Sequence, residues 1–261
     1  MSAVYHVENG RFVPSGHARS PWDPASQHGG GPAALIARAL ERCQAPGPML
    51  LARLTIDFMG AVPLKPLEVD ARIVRRGRRL QIAEAVLSSD GTTICRARGV
   101  LLRREAVAVP DAARRPARIT PPHELETAPV PVPPHGEMEG FGPSAMELRF
   151  ATNTFDNPGP ATAWFRLRRP LVEGEEPSGV QRAVAAADFG NGISSELSFA
   201  THLFINTDLS VHLAREPVGE WIAVEAVTDH GPEGTALASS VLHDVQGPLG
   251  RAAQSLYVAE R

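Results

Sequence analysis

The sequence predicts an α+β protein in which two units, each a helix laid on an antiparallel sheet, share one chain. Three observations carry this expectation. Two alanine-rich stretches, residues 33–42 and 180–188, are each followed by runs that alternate polar and apolar residues, the period of half-buried strands. The halves keep step: Leu54 and Leu209 stand 155 residues apart, as do Arg96 and Arg251, and a constant spacing favours duplication. Between them, residues 105–143 carry Pro121-Pro122, Pro129, Pro131 and Pro133-Pro134, which remove backbone donors and forbid a lasting helix or central strand. The expected division is residues 1–104, a linker over 105–143 wrapped across a surface, and residues 144–261.

Taken in order, residues 10–14 suggest an opening strand. Gly29-Gly30-Gly31-Pro32 then leads into the first helix, where proline suits the first turn, and Pro46-Gly47-Pro48 ends it. Strands are expected over 53–58, 67–74, 80–88 and 93–102, with turns at Arg76-Gly77 and Asp90-Gly91. In the second half, residues 161–166 match the opening strand, and the helix over 180–188 ends near Gly190-Asn191-Gly192. A short strand over 203–206 precedes strands over 209–213, 221–227, 235–245 and 251–258, with Gln246-Gly247 as the last turn. Alanine lets a helix lie close to a sheet, and two such units can join edge to edge and so protect their edge strands.

Composition narrows the function. The chain has 261 residues, 43% apolar and 21% charged, with a formal net charge of −3. That balance gives no overall attraction to nucleic acid or anionic lipid. Cys43 and Cys95 are too few for a disulfide framework and form no CxxC pair, so two reduced thiols are expected. No stretch resembles a signal peptide, and no apolar run approaches the ~20 residues that span a bilayer. The expectation is a soluble, cytoplasmic protein. Glycines 29–31 lack the Lys-Ser or Lys-Thr of a phosphate-binding loop, and neither a Gly-x-Ser-x-Gly elbow nor a His-Glu-x-x-His zinc motif occurs.

Several short motifs together resemble the acyl-CoA thioesterase superfamily of the double-hotdog, thioesterase II type. In the first half they are His28-Gly29-Gly30-Gly31, residues 54–58 and Val62-Pro63-Leu64. In the second they are Ala187-Asp188, residues 208–212, Gly219-Glu220-Trp221 and Arg251-Ala252-Ala253-Gln254. The resemblance covers nearly the whole chain outside the linker and implies hydrolysis of an acyl-CoA to free acid and CoA in lipid metabolism. It also implies a helix carboxylate at Asp188, a glutamine at Gln254 and a hydroxyl that together hold a water. The hydroxyl position falls on Asn206, with Thr207 beside it.

A desolvated Asp188 could take the water's proton. His28, Gly29, Gly30 and Gly31, at a helix N-terminus, would serve the substrate and the developing oxyanion. Counting nine residues on from His28 reaches Ala37, and nine back from Asp188 reaches Gly179. By the spacing of single-hotdog enzymes, each half therefore lacks what the other has. One composite site per chain is expected, with its mirror image inactive. No cofactor and no metal are implied, and the partners expected are the acyl-CoA substrate and a second copy in a homodimer. Arg75 to Arg79, or Arg166, Arg168 and Arg169, are candidates for the CoA phosphates.

Two alternatives stand beside this reading. One is a non-catalytic acyl-CoA or lipid-binding protein, suggested by Asn206 at the hydroxyl position. The other is an enoyl-CoA hydratase, whose Asp and His usually share a segment; no histidine follows Asp188 within six residues.

Overall fold

The computed structural model describes residues 2–43, 47–113, 115–116, 118–131, 136 and 139–261. The expected helix stop at Pro46 and the linker pair Pro133-Pro134 lie outside the described residues. In the first half, a hairpin of β1 (Tyr5–Glu8) and β2 (Arg11–Pro14) precedes α1 (Gly30–Arg42). Then come β3 (Met49–Phe58), β4 (Glu68–Arg75), β5 (Leu80–Ser89) and β6 (Thr92–Arg103). In the second, β7 (Met146–Thr154) and β8 (Asn157–Leu167) precede α2 (Gly179–Ala187) and α3 (Gly190–Ser194). The chain closes with β9 (His202–Asn206), β10 (Asp208–Leu213), β11 (Ile222–His230), β12 (Thr235–Asp244) and β13 (Gly247–Glu260).

One antiparallel sheet joins the halves in the order β4-β5-β6-β3-β10-β13-β12-β11-β8-β7, with β9 beside β13. The order β4-β5-β6-β3 is repeated in reverse as β10-β13-β12-β11, so the duplication read from spacing is a duplication of topology. At the seam between β3 and β10, Thr55 faces Ser210, Leu54 faces Val211 and Ile56 faces Leu209. Adding 155 turns each of the outer pairs into the other, so the pseudo-two-fold axis passes between Thr55 and Ser210. Even the irregularity repeats. The β3–β6 ladder slips at Ala52, and 155 residues later Thr207 separates β9 from β10.

The helices lie on the inner face of this sheet and against each other. Ala33, Ala34, Leu35, Ile36, Ala37 and Leu40 of α1 and Ala183 to Ala187 of α2 are buried, each buried methylene adding roughly 0.8 kcal/mol. Small side chains permit the close approach: a Cβ on Gly30 would lie 2.8 Å from the Ala185 carbonyl oxygen.

The structure departs from the sequence expectations at three places. The opening strand is a hairpin, turned at Asn9-Gly10 with φ of 50° and 78°, and β2 is tied to the sheet by a bridge between Phe12 and Leu67 and an ion pair of Arg11 with Glu68. The edge strand β7 was not expected, although residues 146–150 alternate in polarity. The second helix does not stop near Gly190–Gly192: it breaks at Asp188 and Phe189 and resumes as α3.

The described part of the linker is held along the β7–β8 edge. Trp164 Nε1 donates to Thr120 O at 2.8 Å, Arg149 Nη1 donates to Pro122 O at 2.6 Å, and Ala128 bridges to Leu148. Farther on, Phe141 is fully buried. Both cysteines are free. Among the described residues, no helix is long and apolar enough to cross a membrane.

Candidate active site

Asp188 sits where α2 ends, a position that turns its side chain off the helix and toward the first half. The residue is 3% exposed, and a buried carboxylate needs donors. It has them from three segments. Asn206 Nδ2 donates to Oδ1 at 2.9 Å, and Gln254 Nε2 reaches the same oxygen at 3.4 Å and the Asp188 carbonyl at 3.3 Å. His28 Nδ1, from the other half, lies 3.0 Å from Oδ2.

The Gly30 N–H lies 3.1 Å from that same Nδ1. One nitrogen cannot donate to Asp188 and accept from Gly30 at once. The charge-assisted bond is roughly twice as strong, so Nδ1–H facing the carboxylate is the favoured arrangement. The Gly30 N–H is covered by the His28 ring, and the Gly29 N–H beside it at the start of α1 has no acceptor among the described residues. Gly29 itself is compelled by contact: a Cβ there would lie 2.8 Å from Asp188 Oδ2 and 3.0 Å from Oδ1.

The segment before α1 is anchored. Gln27 N donates to Val62 O, Gln27 Nε2 to Pro63 O and His28 N to Ala18 O, while buried Tyr5 donates its hydroxyl to Gln27 Oε1 at 2.7 Å. The His28 ring packs against both Phe141 and Phe189, with centroids 5.2 and 4.4 Å away, and those two rings lie 6.0 Å from each other. Asn191 N donates to Gln254 Oε1 at 3.2 Å, which leaves the Gln254 amide nitrogen directed at Asp188.

Of these groups, His28, Gly29, Asp188, Phe189, Asn191 and Asn206 line a cavity of about 530 Å³, and Gly30 and Gln254 stand behind that lining. Its walls are largely apolar, with Trp22, Phe58, Phe155, Phe189 and Phe199 among them, and Val130, Pro131, Gly142 and Pro143 of the linker close one side. Beneath the site, burial pushes the Cys95 thiol up to about 12, the Asp188 charge adding to the effect. That holds Cys95 as a neutral thiol.

The structure thus brings together Asp188, Gln254, Asn206, His28, Gly29 and Gly30. Gly31 is turned to Tyr5 instead, its Cβ direction meeting the Tyr5 hydroxyl at 2.6 Å. Thr207 lines the cavity, but its hydroxyl donates to Ser255 O at 3.2 Å and makes no bond to Asp188. The arginines assigned to CoA are elsewhere. Arg166 is engaged by Glu147 and Glu220, and Arg169 by Ser144 O and Ser2. Neither these two nor Arg168 nor the run from Arg75 to Arg79 lines the cavity; among the described residues, the arginine that does is Arg261, its guanidinium 5.4 Å from the Trp22 ring centre.

Sequence reading missed Phe141, Phe189 and Asn191. Phe189 and Asn191 stood within three residues of Asp188, the one usable signal; Phe141 had none, being brought in by the linker.

The mirror position is filled. Shifted by 155, Asn206 becomes Leu51 and Gln254 becomes Gly99. A Cβ on Gly99 would lie 2.8 Å from Leu51 Cδ1 and 3.2 Å from Leu40 Cδ1. Where one half gathers a carboxylate and two amides, the other packs two leucines over a glycine.

Comparison with known proteins gives two family matches along the chain. Residues 18–102 match the family model of the acyl-CoA thioesterase N-terminal domain, and residues 122–258 match that of the acyl-CoA thioesterase C-terminal domain. A Novosphingobium aromaticivorans protein provisionally named a thioesterase superposes with a TM-score of 0.73 at 20% identity, over 98% of each chain. A provisionally named thioesterase II from Thermobifida fusca gives 0.73 at 17% identity, over 98% of this chain and 95% of that one. A hot dog fold protein from Alicyclobacillus acidocaldarius gives 0.71 at 17% identity, over 97% and 94%. At these identities the likeness is one of fold. A search of curated proteins gives no significant match.

Proposed function

The chain belongs to the acyl-CoA thioesterase family, with both its N- and C-terminal domains, and from that premise we propose that it hydrolyses acyl-CoA to free acid and CoA at Asp188. The observation that carries this reading is a buried carboxylate, held by donors from both halves, on the wall of a largely apolar cavity.

In this mechanism a water lies against Asp188, with the Asn206 and Gln254 amides orienting it. Asp188 takes the water's proton as its oxygen bonds to the thioester carbonyl carbon. Negative charge gathers on the carbonyl oxygen, where the Gly29 N–H and the N-terminal end of α1 favour it. The C–S bond then breaks, the CoA sulfur leaves with the proton from Asp188, and the acid departs. His28 holds the carboxylate in place. An amide at Asn206 does the orienting that the family resemblance assigns to a hydroxyl.

The test is thiol release from a panel of acyl-CoA esters by wild type and Asp188→Asn. A fall of about 10²–10⁴-fold with the fold intact is expected, and retained activity would overturn the assignment. The contact between His28 and Asp188 favours one second reading, hydration of an enoyl-CoA, since the histidine missing after Asp188 arrives from the other half. Loss of enoyl absorbance without thiol release would select it. Binding of acyl-CoA with neither reaction would select the non-catalytic alternative.

A further inference from the structure

Gly192 occupies a position where glycine is required by neither backbone nor packing. Its φ is not among the positive values of the chain, and in a helix glycine is about 1 kcal/mol worse than alanine. A Cβ there would meet nothing within 4 Å, yet the residue lines the cavity.

The direction it faces follows from α3. At about 100° per residue, Gly190 and Gly192 point to opposite sides of the helix. Gly190 faces the sheet: a Cβ on it would lie 2.7 Å from Ser240 Oγ and 3.1 Å from Gln254 Oε1. The same side is tied down by the Ser194 and Thr228 hydroxyls at 2.7 Å and by Asn191 N on Gln254. Position 192 therefore faces away from the sheet, into the cavity, four residues after Asp188. Two other glycines on the wall are crowded, Gly29 by Asp188 and Gly142 by Val130 Cγ1 at 3.0 Å, and Gly60 is exposed.

Resting on the thioesterase reading above, we propose that Gly192 sets the acyl size this site accepts. The missing side chain leaves room for an apolar acyl chain to pass α3 beside Asp188. A methylene takes about the space of a water, roughly 30 Å³, so a cavity of about 530 Å³ holds a chain of roughly eight carbons or more alongside the thiol end of the pantetheine arm. The substrate class is a medium or longer apolar acyl group, not acetyl.

The experiment compares kcat/KM of the full-length wild type, Gly192→Ala, Gly192→Val and Gly192→Phe on straight-chain acyl-CoA esters from acetyl to dodecanoyl. Thermal melts run in parallel, and Gly192→Ala serves as the variant least able to disturb the fold. Wild type is expected to prefer octanoyl and longer chains. In Gly192→Val and Gly192→Phe, the longest esters should lose roughly ten- to two-hundredfold for each methylene excluded, while butyryl-CoA stays within about threefold. Folded variants with the wild-type chain-length profile, or a wild type that prefers acetyl-CoA, would overturn the proposal.

A wild type that hydrolyses no ester would remove the thioesterase reading alone. Calorimetric titration of the four proteins with dodecanoyl-CoA then decides the size limit. Weakened binding in the Val and Phe variants upholds it, and equal binding removes it.

Discussion

Gly29 has no side chain because the Asp188 carboxylate stands where one would go. Gly29→Ala is expected to push the carboxylate out of line and lower kcat at least tenfold, since misplacement of about 1 Å costs up to about a hundredfold. A kcat unchanged within twofold would show that the contact is dispensable. Cys95 makes a second prediction at this scale. Its thiol is raised to about 12, so the folded state holds a proton that the unfolded state releases near the ordinary thiol value of about 8.5. The stabilising contribution is full below that value and is lost as pH rises toward 12. In a thiol-reagent titration of the native protein at pH 8, half-buried Cys43 should react first and Cys95 only on unfolding. Simultaneous labelling would contradict its burial.

Among the elements, β7 is the one whose stability rests most visibly on charge. Glu147 is buried there, and burial alone would raise its carboxyl. Hydrogen bonds from Arg166 and Arg149 outweigh burial, together with the Arg166 charge and the Thr127 hydroxyl, and bring it down to about 2. The sign follows: the contribution is present above the ordinary glutamate value and is lost as pH falls from there toward 2. Because Arg149 also holds Pro122 O and Leu125 O, the network ties the linker to the sheet edge. Glu147→Gln should cost about 3 kcal/mol, the scale of breaking a buried pair. It should also flatten the fall of the melting temperature between about pH 4.5 and 2. A variant as acid-sensitive as wild type would remove Glu147 from that role.

For the whole molecule, the pseudo-two-fold axis relates a polar pocket to an apolar one, and exchanging residues across it should have opposite consequences. Leu51→Asn places an amide among leucines and should destabilise by about 2–5 kcal/mol with kcat nearly unchanged. Asn206→Leu should abolish turnover while leaving the melting temperature within a few degrees. Melts and thiol-release assays on both variants check this, and equal effects in the two assays would refute the asymmetry. The duplication also lets the proposed site draw on both halves, the glycines standing at the start of α1 and the carboxylate at the end of α2.

By itself the sequence determined the α+β class, the repeated order of helix and strands, and the separation of His28 and the glycines from Asp188 and Gln254 into different halves. These are properties of local period, composition and spacing, which a single chain displays without folding. Two misses were legible in the same terms: Asn9-Gly10 is a hairpin signal, and residues 146–150 alternate as a strand does. Tertiary structure alone decided that His28 meets Asp188, that Asn206 and not Thr207 turns to the carboxylate, and that Phe141 closes on His28. The residues concerned lie far apart in sequence, and their meeting depends on how two helices and one continuous sheet pack. At Asn206 and Thr207 it depends on where the ladder breaks, which sets the side chain that faces inward.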